Sequence, residues 1–232
     1  MSGPSEARAT ERARVAGLML RAIAFYETSI GKKAVMAVSG AVLFGFVLGH
    51  LMGNLQIYLG PAALNGYAEH LRALGPLLWV VRLGILAAFV CHLVPAYQLT
   101  VESWTARGGR YRVQRDAATT WAARTMIATG PLLLLFVLYH LAHFTVPGVA
   151  MSAGYAHNPG DVYANVVSGF SVWWVSALYL IAQAGLGLHL YHGGTSLLLT
   201  LGLDHPRYDA LTQRAAEVLA VVIWVGNSSI PV

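Results

Sequence analysis

The sequence predicts an all-α membrane protein: one bundle of five transmembrane helices, with the N-terminus cytoplasmic and the C-terminus outside. Three observations predict it: a deficit of charge, five apolar runs of spanning length, and a one-sided placement of arginine and lysine. Of the 232 residues, 56% are hydrophobic and only 11% are charged, with a mean hydropathy of +0.58. A soluble domain would carry about a quarter charged residues, so much of this surface faces lipid.

Crossing the hydrocarbon core takes about 20 apolar residues as a helix. Five such runs are read, at about 34–55, 77–101, 125–146, 170–201 and 210–232. The fourth is long enough to tilt or to extend past the bilayer. The fifth ends in a more polar stretch, Gly226-Asn-Ser-Ser-Ile-Pro-Val. Glycine and proline punctuate the connections at Gly60-Pro61, Gly75-Pro76, Pro147-Gly148, Asn158-Pro159-Gly160 and His205-Pro206, where they favour turns over helix. Residues 1–33 form a cytoplasmic N-terminal segment, within which 11–30 read as a surface helix. The polar start and the late first apolar run do not match a cleaved secretory signal. Residues 1–232 are read as a single domain with no repeat.

Cytoplasmic loops carry the excess of lysine and arginine. The N-terminal segment holds Arg8, Arg12, Arg14, Arg21, Lys32 and Lys33. The loop between spans two and three holds Arg107, Arg110, Arg112 and Arg115, with Arg124 at its end, and the loop after span four holds Arg207 and Arg214. The opposite side offers only Arg72 and Arg82. The net charge of +5 does not point to nucleic acid, because the basic residues sit between apolar runs; anionic lipid is their first partner. A single cysteine, Cys91, excludes an intramolecular disulfide and a cysteine-based metal or iron–sulfur site.

An ionisable group inside a span is penalised by lipid and is a functional candidate for that reason. Spans one to four carry His50, His92, His140 with His143, and His189 with His192. Four helices that each offer an imidazole can supply bis-histidine ligation of haem. From the outer end, His50 lies about six residues below Gln56 and His140 about seven below Pro147. His92 lies about sixteen below Pro76 and His189 about sixteen below Trp173. At about 1.5 Å per residue the shallow and deep sets differ by roughly 15 Å, so two stacked haems are expected. Depth does not separate His140 from His143, or His189 from His192, one turn apart. Buried histidines bonded to backbone or to one another are the plainer reading of any single one. Glycines 45, 49, 185, 187, 193 and 194 suit close ring approach and equally suit helix packing.

Ser29-Ile-Gly-Lys-Lys-Ala-Val-Met-Ala-Val-Ser-Gly40, running on to Gly49-His-Leu-Met-Gly-Asn-Leu-Gln56, resembles the first helix of the two-haem, single-subunit cytochrome b anchors of succinate:quinone oxidoreductases. So do His92-Leu-Val-Pro-Ala-Tyr-Gln98, Thr129-Gly130 running to Tyr139-His-Leu-Ala-His-Phe-Thr145, and Gly187-Leu-His-Leu-Tyr-His-Gly-Gly194. The resemblance covers about residues 26–230. It implies that His50 and His140 ligate a distal haem b and that His92 and His189 ligate a proximal one. The Thr-Gly pair ten residues earlier selects His140, and the glycine four residues later selects His189. It also implies a flavoprotein partner that oxidises succinate, an iron–sulfur partner, menaquinone as electron acceptor, and a bacterial cytoplasmic membrane. Some fumarate-reducing relatives place a glutamate two residues before the fourth-helix ligand, on a proton route; here that position is Gly187.

The remaining candidates each have two readings. Glu69 and His70 are candidates for proton handling at a quinone, or a solvated outer loop. Arg82 and Arg124 are candidates for haem propionate contacts, or a snorkelling side chain and a positive anchor respectively. His143 bonds a propionate or simply packs. Trp104, Trp121, Trp173 and Trp174 read as interfacial anchors. Two further classes compete: the di-haem anchor of a formate dehydrogenase, hydrogenase or ascorbate-type reductase, and a haem-free transporter that uses the histidines as a proton relay.

Overall fold

Long apolar stretches cannot leave backbone N–H and C=O groups unpaired in lipid, and the helix is the local way to pair them. The computed structural model describes residues 4–106, 121–146, 157–200, 202 and 207–232, and among them all regular structure is helical. The elements are α1 (Pro4–Glu27), α2 (Ser29–Asn54) with a 3₁₀ turn over Leu55–Leu59, α3 (Pro61–Ala73), α4 (Pro76–Thr105), α5 (Trp121–Phe144), α6 (Val162–Phe170), α7 (Trp173–Thr200) and α8 (Asp209–Ser229).

Among the described residues four helices are long and apolar enough to cross a membrane: Ser29–Leu59, Pro76–Thr105, Thr125–Phe144 and Trp173–Thr200. Large apolar side chains such as Val80, Leu83, Leu86, Leu135 and Ile181 stand outward on them, a surface that water would not tolerate over this area. The fifth expected span forms as α8 but is less apolar. Asp209, Arg214 and Glu217 occupy its first half, leaving Val218–Val225 as its uninterrupted apolar run. The fourth expected span, 170–201, starts three residues late, as α7. Phe170 ends α6 and α7 starts at Trp173, with Ser176 Oγ donating 2.8 Å to the Phe170 carbonyl across the break.

The start of α2 is set by Thr28, whose Oγ1 accepts from Gly31 N at 2.9 Å and donates to the Phe25 carbonyl at 2.7 Å. A side chain at Gly31 would collide with Phe25 backbone, its Cβ 2.0 Å from the carbonyl oxygen, so the sharp α1–α2 junction needs glycine. At the other end, Gly60 (φ 91°) and Gly75 (φ 54°) turn the chain in conformations that favour glycine. Pro61 and Pro76 then open α3 and α4, where a missing N–H costs nothing.

α2 packs on α4, α5 on α7, and α7 on α8, with α2 also touching α7. The beginning of α2 is tied to the end of α4, so these two run antiparallel: Tyr26 donates to Gln98 Oε1 at 2.7 Å, and Lys32 pairs with Glu102. α8 lies antiparallel along α7, with Trp224 against Gly187 and Ala216 against Gly194. Its end meets α2, where Tyr58 donates to the Ser229 carbonyl at 2.6 Å.

The same end of the bundle is capped by α3 and α6, two helices formed in stretches expected as connections between spans, Phe170 apart. Asn65 on α3 donates to Asp161 Oδ1 (2.9 Å) and accepts from Tyr163 N (3.0 Å), and Arg72 donates to the Pro159 carbonyl. Asp161 caps α6 by accepting from Ala164 N at 3.0 Å. That N–H, then the Asn65 amide, holds the Asp161 carboxyl below the usual aspartate value. The basic loop residues Arg107, Arg110, Arg112 and Arg115, and the turns at Pro147-Gly148 and His205-Pro206, lie outside the described residues.

Candidate functional site

Four helices each bring one imidazole into a facing ring pair; His92, His140 and His189 are half-buried and His50 is exposed. The His50 ring on α2 faces His140 on α5, with centroids 5.7 Å apart and an interplanar angle of 89°. The His92 ring on α4 faces His189 on α7 at 6.3 Å and 67°. Neither ring pair joins helices that pack closely on each other; the close partners are α2 with α4 and α5 with α7. Each pair therefore bridges a wider interhelical space.

Two levels follow from the register. The hydroxyl of Tyr179 reaches His140, and His189 lies ten residues further along α7, about 15 Å at the helical rise. On α5, Thr129 reaches His189 and His140 lies eleven residues further on, about 16 Å. The His50–His140 pair is nearer the end capped by α3 and α6.

The ring nitrogens have directed partners. His92 Nδ1 lies 3.0 Å from the Met36 carbonyl. A carbonyl only accepts, so Nδ1 carries the proton and Nε2 keeps its lone pair. Thr129 Oγ1 lies 3.4 Å from the Met126 carbonyl and 3.3 Å from His189 Nδ1. With the proton on His189 Nδ1 the hydroxyl accepts it, and Nε2 is the nitrogen left to bind a metal. His140 Nδ1 lies 3.2 Å from the Tyr179 hydroxyl. This is how metal-binding histidines are held: the second nitrogen donates to a fixed acceptor, which sets tautomer and ring orientation. Gly40 lets the His92 ring pack close against α2: a β-carbon there would lie 3.2 Å from His92 Cε1.

Each ring pair has the spacing of two imidazoles that share one metal ion. Two metal–nitrogen bonds of about 2 Å, plus about 1 Å from each nitrogen to its ring centre, place facing centroids about 6 Å apart. The observed 5.7 and 6.3 Å bracket that figure.

The other candidates are distributed as follows. His143 is fully buried, with Nδ1 3.1 Å from the Tyr179 hydroxyl and its ring 4.0 Å from that of Phe144. Its Nε2 faces Gly169 of α6, where a β-carbon would come within 2.9 Å. His192 is half-buried one turn beyond His189. Glu69 and His70 are exposed on α3, a helix and not a loop, and His70 Nδ1 bonds the Gly66 carbonyl at 2.7 Å. Arg82 is exposed, its guanidinium 5.1 Å from the Trp79 ring centre. The side chain of Arg124 lies outside the described residues.

Sequence reasoning missed Tyr179, Gly40 and the Met36 carbonyl, and used Thr129 only as a marker. A buried tyrosine hydroxyl in an apolar helix needs a partner, which was the signal available for Tyr179. Compared with protein-family models, curated proteins and solved structures, the chain has no match.

Proposed function

We propose that this chain is the membrane-anchoring cytochrome b subunit of a succinate:quinone oxidoreductase, holding two b haems in a bacterial cytoplasmic membrane. The observation that carries the reading is the pairing of four histidines, one per helix, into two facing sets about 15 Å apart along the bundle. His50 and His140 would hold the distal haem, and His92 and His189 the proximal one. The haem, when bound, supplies one-electron transfer at an iron with no open coordination position. The chain's own work is to fix ring orientation through Met36, Thr129 and Tyr179 and to exclude water with apolar helices.

His140 is favoured over His143 because the His143 ring is wedged against Gly169. Five spans are favoured by α8 running the length of α7, and a cytoplasmic N-terminus by the six basic residues up to Lys33. The iron–sulfur and flavoprotein partners and menaquinone rest on the motifs around His50, His92, His140 and His189. Arg82 and Arg124 remain the candidates for propionate contacts, and Glu69 with His70 for quinone protonation.

The test is the pyridine haemochrome assay on purified protein. The wild type should carry two haems b per chain, and alanine at any of the four histidines should remove one. His50→Ala with His140→Ala should remove no more than either alone, while His50→Ala with His92→Ala should remove both. A haem-free wild type overturns the reading. In native membranes, succinate should reduce the b absorbance; dithionite-only reduction would point to the anchor of another respiratory complex.

A further inference from the structure

The Tyr179 hydroxyl sits between two imidazoles, 3.2 Å from His140 Nδ1 and 3.1 Å from His143 Nδ1. A hydroxyl has one hydrogen and two lone pairs, so it cannot donate to both rings and at least one histidine must donate to it. If His140 offers Nε2 to iron, its Nδ1 carries the proton and donates to Tyr179. The tyrosine hydrogen is then directed to His143 Nδ1, which places the His143 proton on Nε2. One directed chain results: His140 Nδ1–H to Tyr179 Oη, and Tyr179 Oη–H to His143 Nδ1.

The chain is anchored by packing. His143 is fully buried. Its Nε2 lies where any side chain at Gly169 would collide, 2.9 Å from the β-carbon position. Phe144 stacks on it at 4.0 Å, and Phe170 meets the Tyr179 ring edge-on at 4.8 Å. α6 thus holds His143, which orients Tyr179, which orients His140. The other His140-level ligand, His50, instead stacks on Phe46 at 5.4 Å and 23°.

We infer that Tyr179 is the positioning residue of His140, and that His143 is its fixed hydrogen-bond acceptor and not an alternative ligand. This rests on the haem reading above and adds the residues that tune one of the two sites. An acceptor on Nδ1–H raises the basicity of the ligating nitrogen, which favours ferric over ferrous iron. Removing it should raise the midpoint potential of the His50–His140 haem alone.

The experiment is a redox titration with low-temperature electron paramagnetic resonance on purified wild type, Tyr179→Phe and His143→Phe. Loss of an outer partner costs about 10–100-fold in metal affinity, so Tyr179→Phe should lose haem from one site on dilution or washing. Its low-spin signal and potential should shift upward while the other haem is unmoved. His143→Phe leaves the hydroxyl in place and should move the same signal the same way by less. It decides the matter if Tyr179→Phe does not assemble. Two haems with both signals unchanged in the variants overturn the relay while leaving the haem reading intact. A haem-free wild type overturns the haem reading itself.

Discussion

Gly40 is the position where one added side chain tests the inner histidine pair most directly. A β-carbon there would lie 3.2 Å from His92 Cε1 and 3.3 Å from Nδ1, inside ordinary van der Waals contact. The ring must give by a few tenths of an ångström, against the 3.0 Å bond that ties it to Met36, one turn before Gly40 on the same helix. In Gly40→Ala the change in helix propensity favours folding by about 1 kcal/mol, which offsets a small displacement. The alanine variant should therefore keep two haems and nearly wild-type stability. Gly40→Leu brings three more carbons toward the ring. Overpacking costs about 1–3 kcal/mol, and functional sites tolerate roughly 0.5 Å of misplacement. It should lose the His92–His189 haem and keep the other. Haem per chain by pyridine haemochrome, read beside thermal unfolding in detergent, checks both. Gly40→Leu with two haems and an unaltered spectrum would refute the idea that His92 is held against α2 as a ligand.

Gly53→Ala should act on the fold and not on the site. Its β-carbon would lie 2.6–2.8 Å from the Tyr67 ring of α3, so overpacking of about 1–3 kcal/mol outweighs or cancels the helix-propensity gain. Thermal unfolding should fall for Gly53→Ala and recover in the double variant with Tyr67→Ala, whereas Gly45→Ala, with open space around it, should not fall. Asp161 gives a pH signature at the capped end. Its folded carboxyl lies below the usual aspartate range, through the Ala164 N–H and then Asn65, so its contribution is complete above that range. It is lost as pH falls through the lower folded value. The difference in unfolding midpoint between wild type and Asp161→Asn should close in acid; a gap constant with pH would show that the carboxylate charge contributes nothing.

Composition and hydropathy determined that the chain is helical and multi-pass, because in lipid the helix is the local solution to backbone pairing and its period needs only the apolar run. The Gly-Pro turns at 60–61 and 75–76 were legible for the same local reason. The four histidines were legible because an ionisable group in an apolar span stands out, and their depths are counted along each helix. Tertiary structure decided the rest. Whether His50 faces His140 depends on rotation and distance between helices, which hydropathy does not encode. Tyr179 and Met36 reach histidines 39 and 56 residues away in the chain, and no local pattern marks either. The short helix α6, ahead of the fourth apolar run, was not marked as an element because its nine residues are too few to cross a membrane. It packs as a cap, and its Gly169 leaves the room that the His143 ring occupies. Hydropathy reads along one chain axis; the site is made by contacts perpendicular to it, and only packing supplies those.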